Sequence, residues 1–226
     1  MISPDPRRKP RRIQAENPLI LLSRFSRPPL AALLLRGIPI TWDYAWPFAI
    51  TVSVVTAVVI LFDQKLWRLP IFKRWLVRQP NVRGTWHVTL QSDWKDPGTG
   101  AGIDPIECVM VIRQTFSKIS LRLFTTESSS LVLAGKIVEQ DDGVFEIAAV
   151  YQNTPSVHLR GQRSEIHHGA LLLEIQSDPA RVLNGHYWTD RLTKGSLRLA
   201  DRRDCIVSNY EEGAALYRLN PQVSKR

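Results

Sequence analysis

The chain has 226 residues, two cysteines and a formal net charge of +9. Two distant cysteines, Cys108 and Cys205, exclude a disulfide framework and a four-cysteine zinc site. The positive charge lies near the N-terminus, because residues 1–80 have a net charge of +9 whereas residues 81–209 have −1. This distribution favours an anionic membrane surface over duplex nucleic acid, and we expect no DNA or RNA partner.

The first forty residues are predicted to form a basic tail and the start of a membrane anchor. We expect residues 1–18 to be disordered and residues 19–80 to form the anchor. The segment 19–40 is apolar but contains three arginines, and a central arginine is costly in a bilayer. It is therefore predicted to be either a short span from Pro28 to Ile40 or a helix at the membrane interface.

The strongest signal is the run from Tyr44 to Phe62, which has nineteen residues and no charge. Nineteen helical residues span roughly 28 Å, about the thickness of the hydrocarbon core of a bilayer. The run predicts a transmembrane helix, and a buried core helix is the alternative. Basic residues lie on both outer sides of the two apolar segments and are absent between them, which favours a helical hairpin with both termini in the cytoplasm over a single span.

The segment after this run combines aromatic and basic residues. Trp67 and Trp75 alternate with five Lys or Arg residues and no acid between Gln64 and Pro80. We interpret the segment as an interfacial helix with both indole rings at the depth of the lipid headgroups and its cations on anionic lipid. Pro80 ends it.

From Val82 onward the hydrophobic period becomes two, and turn residues separate the runs. The pattern predicts eight strands, at 82–91, 104–114, 117–126, 130–140, 143–152, 164–175, 182–190 and 194–201. Short connections favour an antiparallel up-and-down β-barrel over residues 81–209, wide enough to hold one small ligand. The remaining residues, 210–226, are predicted to be a C-terminal tail with a short helix at 210–218.

Candidate binding residues cluster at the strand ends. On a strand, Tyr187, Thr189 and Arg191 share one face. Tyrosine stacks on bases, arginine binds phosphate and threonine supplies a hydroxyl group, so this face is interpreted as a pocket wall. The alternative is ordinary cross-strand pairing around a tight turn. The full predicted set is Tyr151, Asn153, His168, Tyr187, Thr189, Arg191 and Thr193. No catalytic set or metal-ligand spacing was found, so we expect no catalytic residue, metal, cofactor or enzymatic activity.

Several short runs in this order carry a family resemblance: PNVRGTW at 80–86, YQNTP at 151–155, HHG at 167–169, LNGHYWTDR at 183–191 and TKG at 193–195. The chain resembles the SMODS-associating, two-transmembrane, β-strand-rich effectors of CBASS, the bacterial cyclic-oligonucleotide anti-phage system. The resemblance implies a barrel on the cytoplasmic side of the bacterial inner membrane. This barrel would bind a cyclic dinucleotide made by a partner CD-NTase, and binding would drive self-association into a homo-oligomer and disruption of the membrane.

Two other functions remain open. The first is a membrane-tethered, lipocalin-like binder of a lipophilic small molecule, which an apolar barrel interior without an arginine would indicate. The second is a membrane enzyme, which the lack of a catalytic set disfavours.

Overall fold

The structure, a computed structural model, describes residues 42–73, 75–96, 98–160, 164–176 and 179–219. The chain divides into two compact units, residues 1–56 and 57–226. The predicted tail at 1–18 and the predicted first anchor segment at 19–40 lie outside the described residues.

Helix α1 runs from Trp42 to Gln64 and contains the uncharged run. Its side chains from Trp46 to Val58 are all exposed. A helix that exposes apolar side chains on every face suits lipid rather than water, and the exposure argues against a buried core helix. Within the described residues, Trp46–Gln64 is the one stretch long and apolar enough to cross a membrane.

Eight antiparallel strands form a closed barrel in the order β1 to β8, with β8 paired back to β1. The strands are β1 Gly84–Ser92, β2 Ile106–Gln114, β3 Ile119–Phe124, β4 Ser128–Glu139, β5 Phe145–Pro155, β6 His167–Ile175, β7 Leu183–Thr189 and β8 Lys194–Arg203. The predicted up-and-down barrel is confirmed, because every consecutive pair of strands is joined as a hairpin.

Alternating side chains build the core inside the barrel. Trp86 and Val88 of β1 are fully buried, and their partners across the β1–β2 ladder are Met110 and Cys108, which are also buried. Leucines of β6, β7 and β8 complete the apolar interior: Leu171, Leu173, Leu183, Leu197 and Leu199. The period of two therefore separates an apolar inner face from a more polar outer face.

The chain before β1 seals one end of the barrel, here called the closed end. Buried Gln114 accepts a hydrogen bond from the backbone N–H of Val82 at 2.8 Å and donates to the carbonyl of Pro80 at 3.0 Å. The indole N–H of Trp86 donates to the Val82 carbonyl at 2.9 Å. These bonds satisfy polar groups that burial would otherwise penalise.

Asp63, the residue before the last of α1, holds the β2–β3 turn at the closed end. Its carboxylate accepts hydrogen bonds from the backbone N–H of Ser117 at 2.8 Å and from the hydroxyl of Thr115 at 3.3 Å. Its backbone carbonyl accepts from the N–H of Phe116 at 2.9 Å. Three bonds to one turn fix residue 63 against the barrel.

The interfacial helix predicted after α1 is absent from the described residues. A 3₁₀ turn at Leu66–Arg68 is followed by turns. Leu69 is extended, with φ −66° and ψ 139°, because the ring of Pro70 disfavours a helical conformation in the residue before it. Trp67 is 0% exposed, which corrects its predicted place among the headgroups, whereas Trp75 is 74% exposed.

Helix α2, Tyr210–Tyr217, confirms the short helix predicted near the C-terminus. The side chain of Asn209 caps it by accepting from the N–H of Glu212 at 2.8 Å. The helix covers outward-facing Val109 and Val111 of β2. It is therefore part of the folded barrel and not a free tail.

Candidate ligand-binding site

A cavity of about 1030 Å³ occupies the end of the barrel opposite the closed end. Four connections contribute lining residues to it: the β1–β2, β3–β4, β5–β6 and β7–β8 loops. We call this end the mouth. The volume matches the upper range of pockets that hold drug-sized ligands.

The inner part of the cavity is apolar. Its lining includes Leu90, Met110, Leu121, Leu171 and Leu197, which come from five different strands. Four of these, all but Leu90, belong to the buried core of the barrel. The cavity thus rests on a packed floor, which can accept the flat face of a ring but offers no charge.

Tyr151 of β5 and Tyr187 of β7 stand in the cavity above this floor. Each tyrosine lies opposite a glycine on the neighbouring strand, Gly169 for Tyr151 and Gly195 for Tyr187. A Cβ atom at Gly169 would lie 2.6 Å from Cζ of Tyr151, and one at Gly195 would lie 2.7 Å from Cε1 of Tyr187. The glycines therefore provide the space in which the two rings lie.

Burial keeps both phenols neutral. Loss of solvent raises the pKa of Tyr151, and the proximity of Tyr187 and Asp190 raises it further. Loss of solvent also raises the pKa of Tyr187, which has a side-chain hydrogen bond with Ser92 that acts in the opposite direction. At physiological pH these residues present aromatic faces and hydroxyl groups, and not phenolate anions.

Polar side chains form a layer closer to the mouth. The amide of Asn153 donates to the hydroxyl of Ser130 at 2.8 Å and to that of Ser128 at 3.1 Å, which fixes its orientation. The hydroxyls of Thr189 and Thr193 lie 2.8 Å apart. All five side chains line the cavity, so hydrogen-bonding groups are arranged around its wall.

Arg191 lines the cavity from the β7–β8 turn. Its guanidinium donates to the hydroxyl of Ser164 at 3.3 Å, and its backbone N–H donates to the hydroxyl of Thr189 at 3.2 Å. It is the only Lys or Arg among the lining residues in the described part of the chain, whereas three acids, Asp96, Asp104 and Glu127, also line the cavity. Among these described residues, Arg191 is therefore the cation available to a ligand anion.

The turn that carries Arg191 places three residues, 190–192, between Thr189 and Thr193. The N–H of Leu192 donates to the carbonyl of Thr189, and the N–H of Thr189 donates to the carbonyl of Thr193. Leu192 takes up the left-handed conformation, with φ 61°, that closes such a turn. The geometry directs Arg191 to the same side as Tyr187 and Thr189, as the alternation predicts.

His168 does not line the cavity. Gln152 and His168 are paired on the outer face, and the imidazole lies 3.7 Å from the carboxylate of Asp190 with both side chains more than half exposed. Adjacent residues on a strand point to opposite faces, so His167 lines the cavity instead, beside Asn153. The structure thus brings six of the seven predicted residues together and leaves His168 outside.

Sequence reasoning also missed the contribution of the β1–β2 loop. Trp94 and Asp96 of this loop line the cavity, as does the segment 101–104. A long loop between two strands has no hydrophobic period that could predict its position. The one hint in the sequence is a tryptophan, Trp94, between the charged residues Asp93 and Lys95.

The described part of the cavity therefore offers the two tyrosine rings, hydroxyl and amide groups around the wall, and the guanidinium of Arg191 above an apolar floor. This set suits non-covalent recognition of a molecule that combines flat rings with an anionic group. Among the described residues there is no group of three or more His, Cys, Asp or Glu side chains placed to hold a metal ion.

Comparison with known proteins finds a matching family model. The model described as "Cap15, cyclic dinucleotide receptor domain" matches residues 77–201, which include β1 to β7 and most of β8. The chain is also similar to CD-NTase-associated protein 15 of Staphylococcus schleiferi. The two are 27% identical over 161 residues, which cover 70% of this chain and 81% of that protein.

Proposed function

The chain belongs to the Cap15 cyclic dinucleotide receptor domain family, and on this basis we propose that it is a membrane-anchored CBASS effector whose cavity binds a cyclic dinucleotide. The observation that carries the proposal is the presence of Tyr151, Tyr187 and Arg191 in one cavity of sufficient volume. Aromatic rings stack on nucleobases, and a guanidinium forms charge-assisted bonds to phosphate.

The layers of the cavity match the parts of such a ligand. The tyrosine rings offer two stacking faces for two bases, and Arg191 at the mouth offers donors to a phosphate. Asn153, Thr189 and Thr193 offer hydrogen bonds to base edges or ribose hydroxyls. Because the described lining residues include three carboxylates beside the Arg191 guanidinium, stacking and neutral hydrogen bonds would supply much of the affinity.

The apolar floor supports a second candidate, a membrane-tethered binder of a lipophilic molecule. Arg191 and the polar layer distinguish the two, since a lipid carrier of this kind would have an apolar interior without an arginine. Their presence in the cavity favours the nucleotide.

Helix α1 supports a membrane location. We propose that it crosses the bacterial inner membrane, with the stretch from Pro28 to Ile40 as a short second span, and that the barrel faces the cytoplasm. A cytoplasmic barrel would meet a cyclic dinucleotide released by a cognate CD-NTase.

We further propose that the protein is not an enzyme, requires no cofactor and binds no DNA or RNA. Its output would be self-association and disruption of the inner membrane. A ligand shifts such an equilibrium only if it binds the associated state more tightly than the monomer. Chemical crosslinking with and without ligand measures this shift.

The binding proposal is tested with Arg191→Ala and the matched control Arg198→Ala, using the full chain in detergent. Arg198 is exposed on the outer face of β8, opposite Thr89. A charge-assisted bond to phosphate contributes roughly 1.5–3 kcal/mol, so Arg191→Ala is expected to weaken binding by about one to two orders of magnitude. Arg198→Ala should bind like the wild type.

Calorimetric titration with a panel of cyclic dinucleotides and with fatty acids separates the two candidates. Saturable binding of a fatty acid, with no binding of any cyclic dinucleotide, supports the lipid carrier. A folded Arg191→Ala protein that binds a cyclic dinucleotide with unchanged affinity contradicts the phosphate role of this residue.

A further inference from the structure

The segment 65–79, here called the juxtamembrane segment, is attached to the closed end through several of its described residues. Trp67 is 0% exposed and Val77 is buried. The guanidinium of Arg68 donates to the carbonyl of Gln114 at 3.0 Å, and the amide of Gln79 donates to the carbonyl of Phe116 at 2.9 Å. These four residues thus hold the segment to the barrel.

The same segment also exposes large apolar side chains to solvent. Ile71 is 71% exposed and Trp75 is 74% exposed, and Leu69 and Leu76 are also exposed. These four exposed apolar residues lie within eight positions of the sequence, and clusters of exposed apolar side chains mark interaction sites. The barrel does not need these side chains for its own core.

The same segment is basic. Lys65, Arg68, Lys73, Arg74 and Arg78 lie in it, and no Asp or Glu occurs between Asp63 and Asp93. Arg68 is directed to the barrel, whereas the side chain of Arg78 is 80% exposed and lies 3.9 Å from Glu139. A surface pair at that distance contributes little, so Arg78 can serve another partner.

We propose that the exposed side of the juxtamembrane segment is a binding surface for anionic phospholipid, with Ile71 and Trp75 inserted among the headgroups. Charge complementarity and continuity with the candidate span support lipid as the partner. The span ends at Gln64, and Ile71 lies seven positions further along the chain, which limits their separation to about 25 Å even for an extended chain.

The surface has a consequence for the orientation of the receptor. Because the segment is bonded to the closed end, contact with the headgroups would hold the closed end at the membrane and keep the mouth accessible to the cytoplasm. This goes beyond the ligand proposal and requires only that α1 spans a membrane.

The test uses the full chain in vesicles without any nucleotide, so its outcome does not depend on the ligand proposal. The background is Cys205→Ser, which removes the exposed cysteine and leaves buried Cys108. An environment-sensitive fluorophore is placed at Ile71→Cys or Trp75→Cys. The control is Leu192→Cys, since Leu192 is 94% exposed at the mouth.

In vesicles with anionic lipid, labels at 71 and 75 should be quenched by nitroxide-bearing lipids and be several-fold less accessible to aqueous iodide than the label at 192. Replacing part of the anionic lipid by zwitterionic lipid, or introducing Lys65→Gln with Arg78→Gln, should reduce this protection. Equal iodide accessibility at 71, 75 and 192 overturns the proposal. So does protection that depends on protein density and not on anionic lipid, because a second copy would then cover the surface.

Discussion

Truncation of Tyr151 tests the stacking role of the cavity. Its ring is 7% exposed, lies against Gly169 on one side and faces the cavity on another. Stacking of a base on an aromatic side chain contributes roughly 1–3 kcal/mol. Tyr151→Ala is therefore expected to raise the Kd for a cyclic dinucleotide by about 5- to 150-fold.

The same change also affects stability. Removing a large ring from a packed core costs about 3–5 kcal/mol, and the lower end is expected here because the ring borders a cavity and has fewer packed neighbours on that side. Tyr151→Phe keeps the ring and removes only the hydroxyl, which is worth about 0.5–1.5 kcal/mol as a neutral hydrogen bond. It should therefore retain most of both stability and affinity.

The assay is calorimetric titration of the full chain in detergent, with thermal unfolding recorded on the same samples. Trp188→Ala is the control, because Trp188 is an aromatic residue of the outer face and stacks on His186. A folded Tyr151→Ala protein with unchanged Kd refutes the stacking role. A Tyr151→Phe protein that binds as weakly as the alanine variant shows that the hydroxyl, and not the ring, makes the contact.

Three further predictions concern stability, measured by thermal or denaturant unfolding. Gly169→Ala should lower the stability by about 1–3 kcal/mol, because the added carbon would clash with the ring of Tyr151. The control Gly102→Ala should not lower it, since there is open space around that carbon. Equal effects of the two changes would show that the chain relieves the clash at Gly169 at little cost. Asp63→Ala should lower the stability by about 1–3 kcal/mol, because it removes a charged hydrogen-bond acceptor from the turn at 115–118. Asp63→Asn should lower it less, since the amide oxygen can still accept. No loss of stability in Asp63→Ala would mean that the turn does not depend on this carboxylate. Burial raises the pKa of Tyr217 from 10 to about 12, so the stability that its neutral phenol contributes is complete below pH 10 and is lost as the pH rises from 10 to about 12. Tyr217→Phe should make this alkaline loss of stability shallower. An unchanged dependence of stability on pH would refute the role of Tyr217.

The barrel was predictable because its strands repeat a local signal. Period-two runs between turn residues gave all eight strands to within about three residues, as at Asp141–Gly143 between β4 and β5. Closure followed from short hairpins. The helix after residue 210 was also visible, but its packing on β2 was not, because Val109 and Val111 carry no sign of what covers them.

The lining of the cavity was predictable where alternation along one strand decided it. Tyr187 and Thr189 were assigned to one face by their spacing, and both line the cavity. The position of His167 was open to the same reasoning, because along β6 it shares a face with buried Leu171 and Leu173, whereas His168 shares a face with exposed Glu174.

The segment after α1 shows how a local signal can mislead. Two tryptophans among basic residues favoured a helix at the interface, yet the conformation before Pro70 and the burial of Trp67 against the barrel override that pattern. A long-range contact, with Phe116 at 6.5 Å between ring centroids, decides the place of Trp67. Only Trp75 keeps the exposed position that the composition suggested.

A structure of the full chain with a bound cyclic dinucleotide tests the central claim most directly. The account predicts a ligand inside the barrel mouth, with its bases against Tyr151 and Tyr187 and a phosphate within hydrogen-bonding distance of Arg191. A ligand bound on the outer wall or at the closed end, with the cavity unchanged, would contradict it.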